Sequence, residues 1–193
     1  MSADTDANAD VENLSEAELR EQVAELQDRL ADLESSVEDD GPKRMSIIAT
    51  KGTLDMAYPP LILASTAAAF GWDVTVFHTF WGLDILHEEK SEELKLSAVG
   101  NPSMPLPNIV ATLPFMDSVA TSMMQRQIDE NNVSTIGELI ETSMDLGVEF
   151  QACQMTIELM DYDEEKFIDG VVTGVGAATA LQDMADADIQ LLV

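Results

Sequence analysis

From Lys43 to Val193 short apolar runs of strand character alternate with helical segments, and this alternation constrains the fold more than any other feature of the chain. Met45 to Thr50 reads as a buried strand. The polar turn Lys51-Gly52-Thr53 follows, then an almost wholly apolar helix reaching Phe70. Pro59-Pro60 is tolerable only in a helix's first turn, so the start of this helix stays open. Asp73 to Phe80 is a second strand, with Val74, Val76 and His78 on one face and Thr75, Phe77 and Thr79 on the other. Trp81-Gly82 turns into a short helix near Leu83 to Glu89, and Phe115 to Asn132 has a helical apolar face. Thr135 with Glu138 forms a capping box for a helix through Leu146 that Gly147 closes. Val148 to Ala152 alternates like a half-buried strand, and Gln154 to Met160 suits one short helix. Asp169 to Gly174, Gly176 to Ala187 and Asp188 to Val193 then read as strand, helix and strand. The order predicts an α/β domain, a parallel sheet of about five strands with helices on both faces.

Residues 1–14 are rich in Asp, Ala and Asn and predict a disordered acidic tail. Ser15 with Glu18 is a capping box, and Leu19, Val23, Leu26, Leu30, Leu33 and Val37 then recur at alternating steps of four and three. That seam predicts a coiled-coil helix over 15–40, with Leu at d and Val or Leu at a. Its other positions are mostly charged or amide side chains, so the helix has no second face for a domain, and self-association is the expected use. Gly41-Pro42 ends it, and the domain runs over 43–193.

The formal charge is −28, from 37 acidic and 9 basic residues. Residues 1–43 carry 14 acids and 3 bases and the remainder 23 and 6, so no single tail accounts for the acidity. A basic face for phosphates cannot be assembled, which argues against nucleic acid as a partner. Self-repulsion of this size weakens a compact state in dilute buffer and is screened near molar salt, so the composition points to a salt-rich cytoplasm. No secretory signal is visible, and the longest apolar run, Pro59 to Trp72, is too short to span a bilayer. Membrane association would need the stretch from Ser91 to Pro114, a long Pro-containing segment of the kind that forms lids or binding loops.

Cys153 is the only cysteine, which excludes an internal disulfide and a Cys-rich zinc site. It stands at a strand-to-helix turn, where α/β folds place sites and where N–H groups favour a thiolate. The acids that follow, Glu158, Asp161, Asp163, Glu164 and Glu165, would oppose that if close. A small buried packing residue is the other reading, and position alone leaves both open. Lys51, Gly52 and Thr53 between strand and helix suit an anion, although no Walker pattern is present. His78 and His87 match no metal-ligand spacing, and His78 is expected on a buried strand face with its ring satisfied by a hydrogen bond, a ligand role being the alternative. No metal and no cofactor is expected.

Five blocks in order carry a resemblance: KGTLDMAYPPLILA at 51–64, TFWGLDIL at 79–86, GNPSMPLPN at 100–108, ACQMT at 152–156 and FIDGVVTGVGAAT at 167–179. From about Lys43 onward the chain resembles the DsrE/DsrF-like family, in its sulfurtransferase- and peroxiredoxin-annotated branch. The resemblance implies a flavodoxin-like α/β domain that forms homo-oligomers, and a cysteine, here Cys153, that holds sulfur as a persulfide. A peroxidase is disfavoured, because the chain has no resolving cysteine. Two function classes follow. One is a sulfur-relay protein, taking sulfane sulfur on Cys153 from a donor protein or low-molecular-weight persulfide and passing it to an acceptor thiol, with Lys51 and the Thr53 N–H binding an anionic donor and the 91–114 loop shielding the persulfide. The other is a non-enzymatic oligomeric assembly or regulatory module in which Cys153 is only structural.

Overall fold

The computed structural model describes residues 16–38, 41–97 and 116–193. The disorder expected of 1–14, and the loop expected over 91–114 from residue 98 on, lie outside them. The chain divides into two units, Met1–Gly41 and Pro42–Val193. Among the described residues of the first is one helix, α1 (Glu16–Glu38), on which Val23, Leu26 and Leu30 are exposed, so the apolar seam has no cover within the unit.

The second unit is a five-stranded sheet in the order β4-β3-β2-β1-β5, with every pairing parallel. Its strands are β1 (Arg44–Ala49), β2 (Asp73–His78), β3 (Glu149–Cys153), β4 (Val172–Val175) and β5 (Ile189–Leu192). The helices are α2 (Leu54–Ala69), α3 (Glu88–Glu92), α4 (Met116–Glu130), α5 (Ile136–Asp145), α6 (Gln154–Met160) and α7 (Ala177–Ala185). The architecture is the layered α/β sheet expected. Within that class the order departs from the 2-1-3-4-5 of flavodoxin, since β1 to β4 add in one direction and only β5 returns to the far side of β1.

The main core lies between the sheet and helices α2 and α5. Leu54, Ala57, Leu61, Ala64 and Ala68 of α2 recur at helical spacing and are buried against Ile47, Val76 and Phe150. Alanines there let the helix approach closely. Ile136 and Ile140 of α5 join the same core, behind a capping box in which Thr135 and Glu138 each accept a backbone N–H of the other. A smaller cluster on the opposite face holds Phe77, Cys153, Val175 and Ala180, with α7 above it. Among the described residues no helix is long and apolar enough to cross a membrane.

Three local expectations are corrected. Pro59 and Pro60 lie inside α2, which begins at Leu54, and not in its first turn. Each removes one intrahelical donor, and burial of the helix's apolar face outweighs that cost. Strand β2 stops at His78, because Phe80 takes a left-handed φ of 49° and starts a 3-10 segment, Phe80–Leu86, where a longer strand and a short α-helix were expected. Strand β4 starts at Val172 rather than Asp169: Gly170 has φ 95° and the Val171 N–H donates to the Ile168 carbonyl, so Asp169-Gly170 is a turn.

Candidate functional site

Cys153 is both the last residue of β3 and the residue from which α6 starts. In the β2–β3 ladder His78 pairs with Ala152, which sets the next residues, Thr79 and Cys153, side by side. Side chains alternate along a strand, so Phe77, Thr79 and Cys153 share one face while His78 and Ala152 take the other. Cys153 packs with Phe77, Val175 and Ala180 and is 3% exposed.

One turn into α6, the buried Thr156 comes back to the same point. Its Oγ1 lies 3.1 Å from Thr79 Oγ1 and accepts the Phe80 N–H at 3.3 Å. Burial pushes the Cys153 thiol up, but the Thr156 hydroxyl and N–H, the Thr79 hydroxyl and the Met155 N–H pull it down, and together they hold it below its ordinary value. Cys153 is the N-cap residue of α6, and its side chain makes no cap bond there. The cause is thus a set of local donors and not the macrodipole of a helix only 7 residues long. None of the acids after the cysteine figures in that balance. Glu158 and Glu164 instead accept from the Gln154 amide, whose oxygen takes the Gly174 N–H and ties α6 to β4.

Lys51, Gly52 and Thr53 form the turn between β1 and α2, as read from the sequence. Lys51 is exposed, and Thr53 takes the N-cap position, but its Oγ1 makes no cap bond and is buried without a partner among the described residues. Glycine is required at 52: a β-carbon there would fall inside contact distance of the Trp81 carbonyl oxygen. Gly82 is held as tightly under the Ala49 carbonyl, so the turn and the 3-10 segment are clamped together. Between them lies a groove of about 680 Å³, lined among others by Lys51, Thr53, Phe80, Trp81 and Asp84. Cys153 does not line it; Phe80, whose N–H meets Thr156, is the link between groove and thiol. A larger cavity of about 930 Å³ beside α5 is lined by none of the predicted site residues.

His78 is placed apart from this site. It is fully buried on the opposite face, 5.8 Å from the Phe150 ring, and the hydrogen bond expected for its ring is not formed with any described residue. His87 has a structural place, its Nδ1 accepting the Glu89 and Lys90 N–H groups at the start of α3. Among the described residues no three His, Cys, Asp or Glu side chains gather as metal ligands. The residues that sequence reasoning missed are Thr79 and Thr156. Both stand inside the matched blocks TFWGLDIL and ACQMT, and a hydroxyl three residues after a cysteine at a helix start was the available signal.

A model of the DsrE/DsrF/DrsH-like family matches residues 41–192. The chain is 43% identical over 159 residues to the sulfur carrier protein DsrE2 of Allochromatium vinosum, covering 78% of this chain and 98% of that one. It is 31% identical over 156 residues to the uncharacterized protein YrkE of Bacillus subtilis, covering 78% and 97%. The crystal structure of the ychN protein from E. coli overlays with a TM-score of 0.46 at 13% identity, over 78% of this chain and 99% of that one. On the family match and the end-to-end identity to its relatives, the chain belongs to the DsrE/DsrF/DrsH-like family.

Proposed function

We propose that the protein is a sulfur carrier that holds sulfane sulfur as a persulfide on Cys153 and hands it to an acceptor thiol. The observation that carries this reading is the place of the chain's single thiol, at the end of β3 and the start of α6, where the nearby hydroxyl and N–H groups hold its pKa below the ordinary value. The relative named as a sulfur carrier supports it. In the loading step the Cys153 thiolate attacks the outer sulfur of a donor persulfide R–S–SH. A new S–S bond forms, the donor's S–S bond breaks, and R–S⁻ leaves with the electron pair, giving Cys153–S–SH. In the unloading step an acceptor thiolate attacks that outer sulfur, and Cys153 departs as the thiolate. No net oxidation occurs in either step, so no resolving cysteine is needed. Each step follows the rules of thiol–disulfide exchange, in which thiolate character of both attacker and leaving group sets the rate.

Donor and acceptor are proteins or low-molecular-weight persulfides and thiols. The Lys51–Thr53 turn is where an anionic donor is held, its groove sharing Phe80 with the surroundings of the thiol. A lone thiol with no disulfide partner in the chain suits the reducing cytoplasm. Self-association through the α1 seam belongs to the same reading, because Val23, Leu26 and Leu30 are left exposed.

The burial of Cys153 with Phe77, Val175 and Ala180 favours a second reading, an assembly or regulatory module with a structural cysteine. A transfer assay separates the two. Protein loaded with polysulfide and freed of excess reagent is mixed with glutathione. The carrier reading expects glutathione persulfide in proportion to loaded chains and none from Cys153→Ser. Equal transfer by the serine variant, or none by the native protein, would leave the structural reading.

A further inference from the structure

Open α/β sheets bind small ligands outside the carboxyl ends of their strands, where the strand order turns back. Here it turns back between β1 and β5. The Lys51–Thr53 turn leaves β1 at that place, next to the Thr50 hydroxyl that donates to the Val193 carbonyl. The groove of about 680 Å³ at the turn shares Gly52, Thr53 and Asp84 with an adjoining cavity of about 470 Å³. After Lys43 the chain carries only 6 basic side chains, and three of them, Lys51, Lys90 and Lys95, line these two spaces. Two of the lining carboxylates are already engaged, Asp84 by Lys90 and the Tyr162 hydroxyl, and Asp55 by the Ser97 N–H. Lys51 is exposed and forms no ion pair among the described residues. The Leu54 N–H donates to the Lys95 carbonyl, whereas the Gly52 and Thr53 N–H groups have no partner among the described residues, and neither has the buried Thr53 hydroxyl. Unpaired N–H groups at the head of a helix, beside a lysine, suit an anion. Near molar salt the Debye length is about 3 Å, so these local groups outweigh the distant acids.

The other wall of the groove is aromatic. Three aromatic side chains are exposed among the described residues, and two of them, Phe80 and Trp81, line the groove, Trp81 being 62% exposed. Their rings lie 6.1 Å apart, tilted by 49°. Phe80 is held there by a left-handed backbone at φ 49°, which a bulky residue rarely adopts. The close approach of Gly52 to the Trp81 carbonyl fixes this wall against the turn. An inorganic anion would fill a small part of such a groove and leave both rings wet, whereas a flat ring joined to an anion uses both walls. We propose that the groove binds a nucleotide, its phosphates on Lys51 and the Gly52 and Thr53 N–H groups and its base on Trp81. The proposal rests on the carrier reading only for its use, as the hold on an anionic donor; the binding stands on the groove itself.

Calorimetry of the full chain in molar KCl tests this, with ADP as the probe and adenosine and pyrophosphate as its two parts. ADP should bind once per chain and more tightly than either part. Trp81→Ala should weaken ADP about tenfold, the loss of one stacked base, towards the affinity of pyrophosphate. Trp81→Phe, which keeps a ring, should retain most of the binding. Lys51→Met should weaken ADP towards the affinity of adenosine. Both side chains are exposed, so the substitutions leave the core intact. No saturable binding of ADP, pyrophosphate binding as tightly as ADP, or ADP binding indifferent to both substitutions overturns the proposal. Cys153→Ser should bind ADP as the native protein does, and polysulfide loading of the native protein is measured by mass in parallel. ADP binding without loading sinks the carrier reading and leaves the nucleotide site standing; loading without ADP binding sinks the nucleotide site alone.

Discussion

Replacing His78 by Phe tests how the sheet's main core treats a titratable ring. His78 is fully buried and neither nitrogen has a hydrogen-bond partner among the described residues. Burial therefore disfavours the imidazolium and pushes the pKa from 6.5 to about 4, the Val76 backbone pulling the other way with less effect. In the unfolded chain the ring titrates near 6.5, so between that pH and about 4 the unfolded state binds a proton that the folded state refuses. The stability at stake is complete above pH 6.5 and is lost as the pH falls to about 4. The gap corresponds to about 3 kcal/mol. Phenylalanine takes up no proton, so its stability relative to the native protein should grow by about 3 kcal/mol between pH 7 and pH 4. At pH 7 itself the change should be small, because removing two unpartnered nitrogens offsets the strain of a larger ring. Urea unfolding of both proteins at each pH, in constant molar KCl, measures the difference; the many carboxylates that protonate over this range cancel in it. A difference that stays flat from pH 7 to pH 4 would refute the buried, unpartnered placement of His78.

The remaining predictions concern the clamp, the first unit and the charge. Gly82→Ala sets a β-carbon against the Ala49 carbonyl and should cost about 1–3 kcal/mol in urea unfolding, whereas Gly137→Ala in α5, with nothing within 4 Å, should gain about 0.5–1 kcal/mol. Removing residues 1–40 should lower the mass of any assembly measured by light scattering while the 43–193 domain stays folded; an unchanged mass at every dilution would put assembly in that domain alone. The melting temperature should rise steadily with KCl, since a formal charge of −28 needs screening, and independence from salt would contradict the reading of the composition.

The layered sheet was legible because burial dictates its pattern: strands such as Met45–Ala49 are apolar but for Ser46, and α2 is apolar on the face it buries. The Thr135–Glu138 cap and the Gly147 stop were legible because both are local. Cys153 could be placed at the strand–helix junction for the same reason. What surrounds it could not. The Thr79–Thr156 pair depends on β2 and β3 lying side by side in one register, and a slip of a single residue would turn Thr79 or Cys153 to the other face. His78 shows the converse. Its face was read correctly from alternation, but whether a buried ring finds a partner depends on the residues packed across from it, here Phe150, which offers none. The prolines of α2 and the turn at Gly170 were misplaced because tertiary packing overrides local preference in the first case and φ is invisible to apolar pattern in the second.

The central claim is that sulfur resides on Cys153, and intact-mass measurement tests it most directly. Reduced protein exposed to polysulfide in molar KCl should gain the mass of whole sulfur atoms, the gain should vanish on treatment with a reductant, and Cys153→Ser should show none while keeping its fold and assembly. No adduct on the native protein, or the same adduct on the serine variant, would contradict the account.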